Sequence, residues 1–197
     1  MKNRVKRVLI DVANTHKLVD LCTELVKYKV EIVVTSKECF NILKANLIPV
    51  KYISELTGVL DIVGGRINAL NTFTMAGITY DRNDTYHLDH ISNNNILGFD
   101  AVIVNFNDTD LHIDAMLFDI QKVALLKAAI SNYRYVIPIP EIQHYDKFLS
   151  FIKWNLDMSY YIRGRFASFA LDTIIKHNEA VRGELNRYLL NEGYGKE

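Results

Sequence analysis

Short apolar runs rich in β-branched residues alternate with segments of helical period along the first 140 residues. That alternation restricts the fold more than any other feature of the chain. A run of 4–8 apolar residues with no polar alternation reads as a strand buried on both faces. Such a strand needs helices above and below it, so the pattern predicts βαβ units around a parallel sheet. The predicted strands are Val5–Val12, Val30–Thr35, Pro49–Ile53, Ala101–Phe106 and Tyr135–Pro140. Helical spacing follows most of them, while an irregular stretch through Thr57-Gly58 and the Gly64 region follows Pro49–Ile53. Leu18, Val19, Leu21, Cys22 and Leu25 mark a first helix, and Phe40, Ile42, Leu43 and Leu47 a second. Ile113–Ile130 marks a later helix, and Ile142–Trp154 and Tyr160–Leu190 close the chain. Phe73–Tyr80 fits either a strand or a buried helical turn, and Asp81–Asn95 a helix followed by a loop. No repeat or linker interrupts the sequence. One domain over residues 1–197 is expected, with an α/β core over 1–140 and C-terminal helices over 141–197.

In open parallel sheets, ligands gather beyond the carboxyl ends of the strands. The stretches Asp11–His16, Thr35–Glu38 and Asn105–Asp110 are therefore candidate site loops, together with the run around Gly64. Gly64-Gly65-Arg66 joins two residues that tolerate positive φ to a planar, permanently charged fork suited to phosphate or carboxylate. Thr35-Ser36-Lys37 sits where a strand passes into a helix. The N–H groups of a helix start suit an anion, while a hydroxyl there can equally cap the helix. The sequence leaves both readings of Thr35 and Ser36 open.

Composition removes other classes. Lys plus Arg and Asp plus Glu are equal at 23 each, so the chain lacks the basic footprint of a non-specific nucleic-acid binder. The aromatic and basic cluster Tyr160, Tyr161, Arg163 and Arg165 is assigned to helix packing. No run approaches the ~18 apolar residues of a membrane span, and no short apolar segment has the make-up of a signal sequence. Cys22 and Cys39 lie in helical apolar patterns and read as buried thiols in a reducing, cytoplasmic setting. His87, His90 and His112 do not form a four-ligand zinc pattern, so no metal or other cofactor is expected.

The order of segments resembles the N-terminal IMP cyclohydrolase domain of the bifunctional purine enzyme AICAR transformylase/IMP cyclohydrolase. The resemblance runs from about Val8 to Ile152, with a looser helical match to about Leu190. Gly65-Arg66-Ile67-Asn68-Ala69-Leu70-Asn71 falls on the family's Gly-Arg-Val-Lys-Thr-Leu-His motif. Ile96–Asn105 falls on its Ile-Asp-Leu-Val-Val-Val-Asn strand, and Glu31–Thr35 on the strand entering its Ser-Thr-Gly-Gly-Thr loop. Phe118-Asp119-Ile120 and Ala124–Asn132 fall on its Ile-Asp-Ile-Gly-Gly-Pro-Ala and Leu-Arg-Ala-Ala-Ala-Lys-Asn segments.

The resemblance implies a methylglyoxal-synthase-like three-layer fold and a purine-precursor site in which formyl-AICAR closes to IMP. It implies ligand contacts from Thr35, Ser36, Lys37, Gly65, Arg66 and Asn105, and chemistry from Asp119, Asn68 and Asn107. The chain departs from the family at the charged groups. Asn68 replaces a lysine, Asn107 a tyrosine, Ser131 a second lysine, and Asp11 and Ala13 two serines of the first loop. Ser36, Lys37 and Glu38 replace Gly-Gly-Thr of the phosphate loop. Losing one oxyanion stabiliser typically costs ~3 kcal/mol. The expectation is a protein that binds a phosphorylated purine nucleotide or precursor, with ring closure weak, altered or lost. An active cyclohydrolase with a rebuilt site and a non-enzymatic scaffold or regulatory subunit are the alternatives. Lys37 and Lys122 are new cations near the matching loops. Phe166, Phe169 and Leu171 either pack internally or form a contact in a homo-oligomer.

Overall fold

Each predicted strand is found, in a single parallel sheet. The computed structural model describes residues 4–59, 61, 63–106, 120–154, 156 and 158–191. The strands are β1 (Arg7–Val12), β2 (Glu31–Val34), β3 (Lys51–Tyr52), β4 (Ala101–Asn105) and β5 (Ile137–Ile139). Their order is β3-β2-β1-β4-β5, with Ile10 in register with Val34 on one side and Ile103 on the other.

Successive side chains on a strand point to opposite faces. Val8, Ile10 and Val12 of β1 therefore share one face with Ile32, Val34, Ile103 and Ile139, while Leu9 shares the other with Val33, Val102 and Val104. Both faces are buried. The first packs on α1 (Leu18–Lys27), α2 (Lys37–Ala45) and α7 (Tyr145–Lys153). The second packs on α4 (Thr72–Thr79) and α6 (Ile120–Ser131). The 32-residue α8 (Tyr160–Asn191) runs along β5, giving Phe166 to the first cluster and Ala170 and Ile174 to the second. It covers an edge strand whose Pro138 suits an edge position. This is the methylglyoxal-synthase-like three-layer sandwich.

Helix ends follow local chemistry. Ser36, Asn71 and Asp84 cap α2, α4 and α5 (Thr85–Asn93), accepting from Cys39 N at 3.1 Å, Thr74 N at 2.9 Å and Tyr86 N at 2.9 Å. The short α3 (Ile53–Thr57) ends on Gly58 at φ 66°. The carboxyl ends of α1, α2 and α5 close through Lys29, Leu47 and Asn95, at φ 60°, 58° and 53°. In each, the next N–H donates back into the last turn: Val30 N to Leu25 O at 3.1 Å, Ile48 N to Leu43 O at 3.0 Å and Ile96 N to Ile91 O at 2.9 Å. This is the doubly bonded left-handed cap common at helix ends.

The ambiguous 73–80 segment is helical, because Asn71 caps it and Gly77 lets it close on the Leu97–Phe99 stretch, where Phe99 N donates to Gly77 O at 3.0 Å. The segment after β5 begins as a 3₁₀ turn over Ile142–His144 before α7. Phe166 is buried, whereas Phe169 stacks on His144 with centroids 4.8 Å apart and Leu171 is exposed. Arg163 is buried and donates to Met158 O at 3.1 Å and Tyr135 O at 3.2 Å, which fits packing. Both cysteines are free and buried, and burial pushes both thiols up. No helix among the described residues is long and apolar enough to cross a membrane.

Candidate functional site

The alternation that puts Leu9 and Val33 on the α6 face carries Asp11 and Thr35 to that same face, one pleat further on. The two residues lie side by side where β1 and β2 end, and Thr35 N donates to Ile10 O at 3.2 Å. A hollow of about 360 Å³ opens there. The sheet contributes Asp11, Thr35 and Tyr52, and the start of α2 contributes Ser36 and Lys37. Gly64, Gly65 and Arg66 form one wall, and Gln121 and Lys122 of α6 the other.

The glycine wall is a left-handed turn. Val63, Gly64 and Gly65 have φ of 54°, 65° and 85°. A side chain is strained in that region, and a Cβ on Gly65 would stand 3.1 Å from Asn68 Nδ2. The turn thereby delivers Arg66 to the rim.

Among the described residues, the cations Lys37, Arg66 and Lys122 line the hollow together with the carboxylate of Asp11. The first N–H groups of a helix have no intrahelical partner, and the start of α2 adds them to the same wall. Ser36 is the N-cap, so its hydroxyl serves the helix. The Thr35 hydroxyl is fully buried and has no hydrogen-bond partner among the described residues.

Two networks hold this lining. In the first, Asp11 Oδ2 accepts from Gln121 Nε2 at 2.8 Å, and Gln121 Oε1 accepts from Ala69 N at 2.8 Å. Lys122 Nζ stands 3.8 Å from Asp11 Oδ1. In the second, Lys37 Nζ pairs with Asp61 Oδ2 at 2.5 Å and the Tyr52 hydroxyl donates to Asp61 Oδ1 at 2.9 Å. Asn68 Nδ2 donates to both Tyr52 Oη, at 2.8 Å, and Asp61 Oδ1. The Lys37 hydrogen bond holds the Asp61 carboxyl below its usual range, with Tyr52 and Asn68 adding to it. Burial, reinforced by Asp61, pushes the Tyr52 phenol up to about 12. Near neutral pH Tyr52 is a phenol and Asp61 a carboxylate.

Thr35, Ser36, Lys37, Gly65 and Arg66 all line the one hollow. Asn68 stands behind the wall, tied to Tyr52 and Asp61. Asn105 is turned elsewhere, in contrast to the ligand contact expected from the sequence. Its Oδ1 accepts from Ala13 N at 2.9 Å and Asn14 N at 2.8 Å, and its Nδ2 donates to Asn14 O at 2.9 Å and Tyr145 Oη at 3.3 Å. A primary amide has two donors and two lone pairs, so the loop after β1 and Tyr145 of α7 together occupy Asn105. It borders a second hollow of about 280 Å³, with Asn14, Glu141 and Thr173. Asn107 and Asp119 lie outside the described residues, as do His112 and Asp114. His87 Nδ1 accepts from Asp81 N at 3.1 Å, and His90 packs at a tilt against Tyr86 with ring centroids 4.3 Å apart. No group of three metal-ligating side chains occurs among the described residues.

Sequence reasoning missed Tyr52, Asp61 and Gln121, and gave Asp11 no role beyond opening a candidate loop and replacing a serine. A lone acid closing a β-branched run was the available signal for Asp11. Gln121 had none, because it reaches Asp11 from 110 residues away.

No family model matches the chain. It is 29% identical over 198 aligned residues to the bifunctional purine biosynthesis protein PurH of Clostridium kluyveri, covering 96% of this chain and 39% of that protein. It is 30% identical over 156 residues to PurH of Clostridioides difficile, covering 75% of this chain and 30% of the other. The chain thus spans about two fifths or less of these relatives' length. Among solved structures, the crystal structure of ForH superposes with a TM-score of 0.80 at 20% identity, over 90% of this chain and 97% of that one. That likeness shows the fold.

Proposed function

Because this chain is a homologue of the bifunctional purine biosynthesis protein PurH, we propose that its cationic hollow binds a phosphorylated purine nucleotide or precursor. The observation that carries this reading is the meeting of Lys37, Arg66, Lys122 and the start of α2 on one cavity, beside a fully buried Thr35 hydroxyl with no described partner. Backbone N–H groups and hydroxyls at a helix start orient a phosphate, and the flanking cations neutralise it.

The same reading makes the resembled reaction weak or altered in this chain. Closing a purine ring needs a stabiliser for the oxyanion at the formyl carbon and an acceptor for the amide proton. Asn68 stands where the resembled motif has lysine, and its amide donors are already engaged with Tyr52 and Asp61. Asp119 is the carboxylate the resemblance offers for proton transfer. One observation favours the second reading, a working site rebuilt from other residues. Tyr52, Asp11 and Lys122 put a phenol, a carboxylate and an ammonium on the lining. A cytoplasmic role in purine metabolism fits either reading.

The test is a thermal-shift and calorimetric screen of IMP, AMP, AICAR and formyl-AICAR against the wild type, Lys37→Ala and Arg66→Ala. Binding by the wild type, weakened about tenfold or more in each variant, supports the proposal, since hydrogen bonds to charged groups contribute roughly 1.5–3 kcal/mol. No response to any of the four sinks it. Absorbance-monitored turnover of formyl-AICAR, lost in Asp119→Asn, would favour the rebuilt enzyme.

A further inference from the structure

Asp11 is an anion set in a cationic hollow, and the anion-binding reading does not use it. It is only 3% exposed, yet it lines the cavity. Gln121, anchored on Ala69 N, fixes one carboxylate oxygen at 2.8 Å. An ionised carboxylate has about four lone-pair sites, so acceptor capacity remains on the cavity side.

Charge decides what can use that capacity. A phosphate against Asp11 would meet a like charge in a poorly hydrated corner. The anionic end of a ligand therefore belongs at Ser36 and Lys37, on the α2 side. A cationic amine against Asp11 would instead crowd Lys122, whose Nζ already stands 3.8 Å from the same carboxylate. A neutral donor suits both constraints. The spacing narrows it further. Asp11 and Thr35 end adjacent, in-register strands, which lie about 4.8 Å apart. The donor therefore sits close to the phosphate, as a ring hydroxyl does in a sugar phosphate, and not at the far end of an attached base.

We propose that Asp11 is the specificity-determining group of this hollow, accepting from a sugar hydroxyl of a ribosyl phosphate whose phosphate rests against the start of α2. The proposal rests on the anion-binding reading above. A site built to accept from a hydroxyl rejects analogues that lack it, because its buried acceptor then goes unpaired.

Calorimetry on the full chain compares ribose 5-phosphate with pentyl phosphate, which has the same carbon count and no hydroxyl. The wild type is expected to prefer ribose 5-phosphate by about tenfold or more. Asp11→Ala is expected to bring the ratio close to one while leaving pentyl phosphate bound as well as before or better. Asp11→Asn keeps the side-chain volume and is expected to narrow the ratio in part, which covers a failure of the alanine variant to fold. Equal binding of the two probes by the wild type, or an unchanged preference in the Asp11 variants, overturns the role of Asp11 and leaves the anion site standing. Failure of the wild type to bind either probe overturns the anion reading and this proposal together.

Discussion

Replacing Asn105 by alanine separates a ligand contact from a loop fastener. The wild-type amide spends both lone pairs on Ala13 N and Asn14 N, and one donor on Asn14 O, at 2.8–2.9 Å. The Tyr145 contact at 3.3 Å is weaker and adds little. Each of the three close bonds contributes about 1 kcal/mol net, so Asn105→Ala is expected to cost about 3 kcal/mol. Partial access of water to the Ala13–Asn14 loop lowers this figure, and any backbone group left dry raises it. For a chain of this length, 1 kcal/mol moves the melting temperature by about 2–4 °C, giving a fall of about 6–12 °C. Urea unfolding with an unchanged slope measures the free energy directly. Phosphate affinity should stay within about threefold of wild type, since Asn105 borders a different hollow from Arg66. A variant that melts within about 2 °C of wild type, or that loses phosphate binding while keeping its stability, refutes this reasoning.

Gly77→Ala gains about 1 kcal/mol of helix propensity but puts a Cβ 2.4 Å from Leu97 O and 3.3 Å from Phe99 Cδ2. A backbone carbonyl cannot swing away, so overpacking of about 1–3 kcal/mol wins and the melting temperature falls. Gly65→Ala meets a φ of 85° and the Asn68 amide at 3.1 Å; about 1–2 kcal/mol of backbone strain should lower stability and weaken phosphate binding in titration. Burial holds the His144 imidazole below its ordinary range, with Glu141 opposing and Lys147 adding to the effect. The unfolded chain then binds the proton more readily, so this stability is present above about pH 6.5 and lost as pH falls toward the lowered folded value. His144→Phe, which keeps the stack on Phe169, should flatten the fall in melting temperature between about pH 7 and 5.

The sheet was legible because both of its faces are covered. Strands such as Val8-Leu9-Ile10 and Val102-Ile103-Val104 are apolar without interruption, and little else in a chain of this length produces such runs. The Phe73–Tyr80 segment was not legible from periodicity, since Phe73 is half exposed, Thr74 buried and Gly77 pressed on the next stretch of backbone. More than half of the cavity lining could be read from the strand-to-helix passage at Thr35–Lys37 and the glycine turn at Gly64–Arg66. How the rest comes together is long-range. Whether Asp11 faces α6 or α1 depends on a one-residue register, and Gln121 and Lys122 arrive from a distant helix. Asn105 shows the opposite failure, in which position on a strand end suggested a ligand while the loop beside it took three of its hydrogen bonds and Tyr145 the fourth.

The left-handed residues that end α1 and α2 carry a consequence of their own. Lys29 and Leu47 hold φ near +60° with β-carbons in place, and Leu47 does so at 91% exposure. The hydrogen bonds of Val30 and Ile48 that launch β2 and the approach to β3 depend on that backbone, not on either side chain. Glycine at either position would relieve about 1 kcal/mol of left-handed strain, offset in part by a looser unfolded chain. The protein thus has headroom at two points that touch neither network around the hollow, and Lys29→Gly with Leu47→Gly offers a firmer background for variants that cost stability at Asp11 or Asn105.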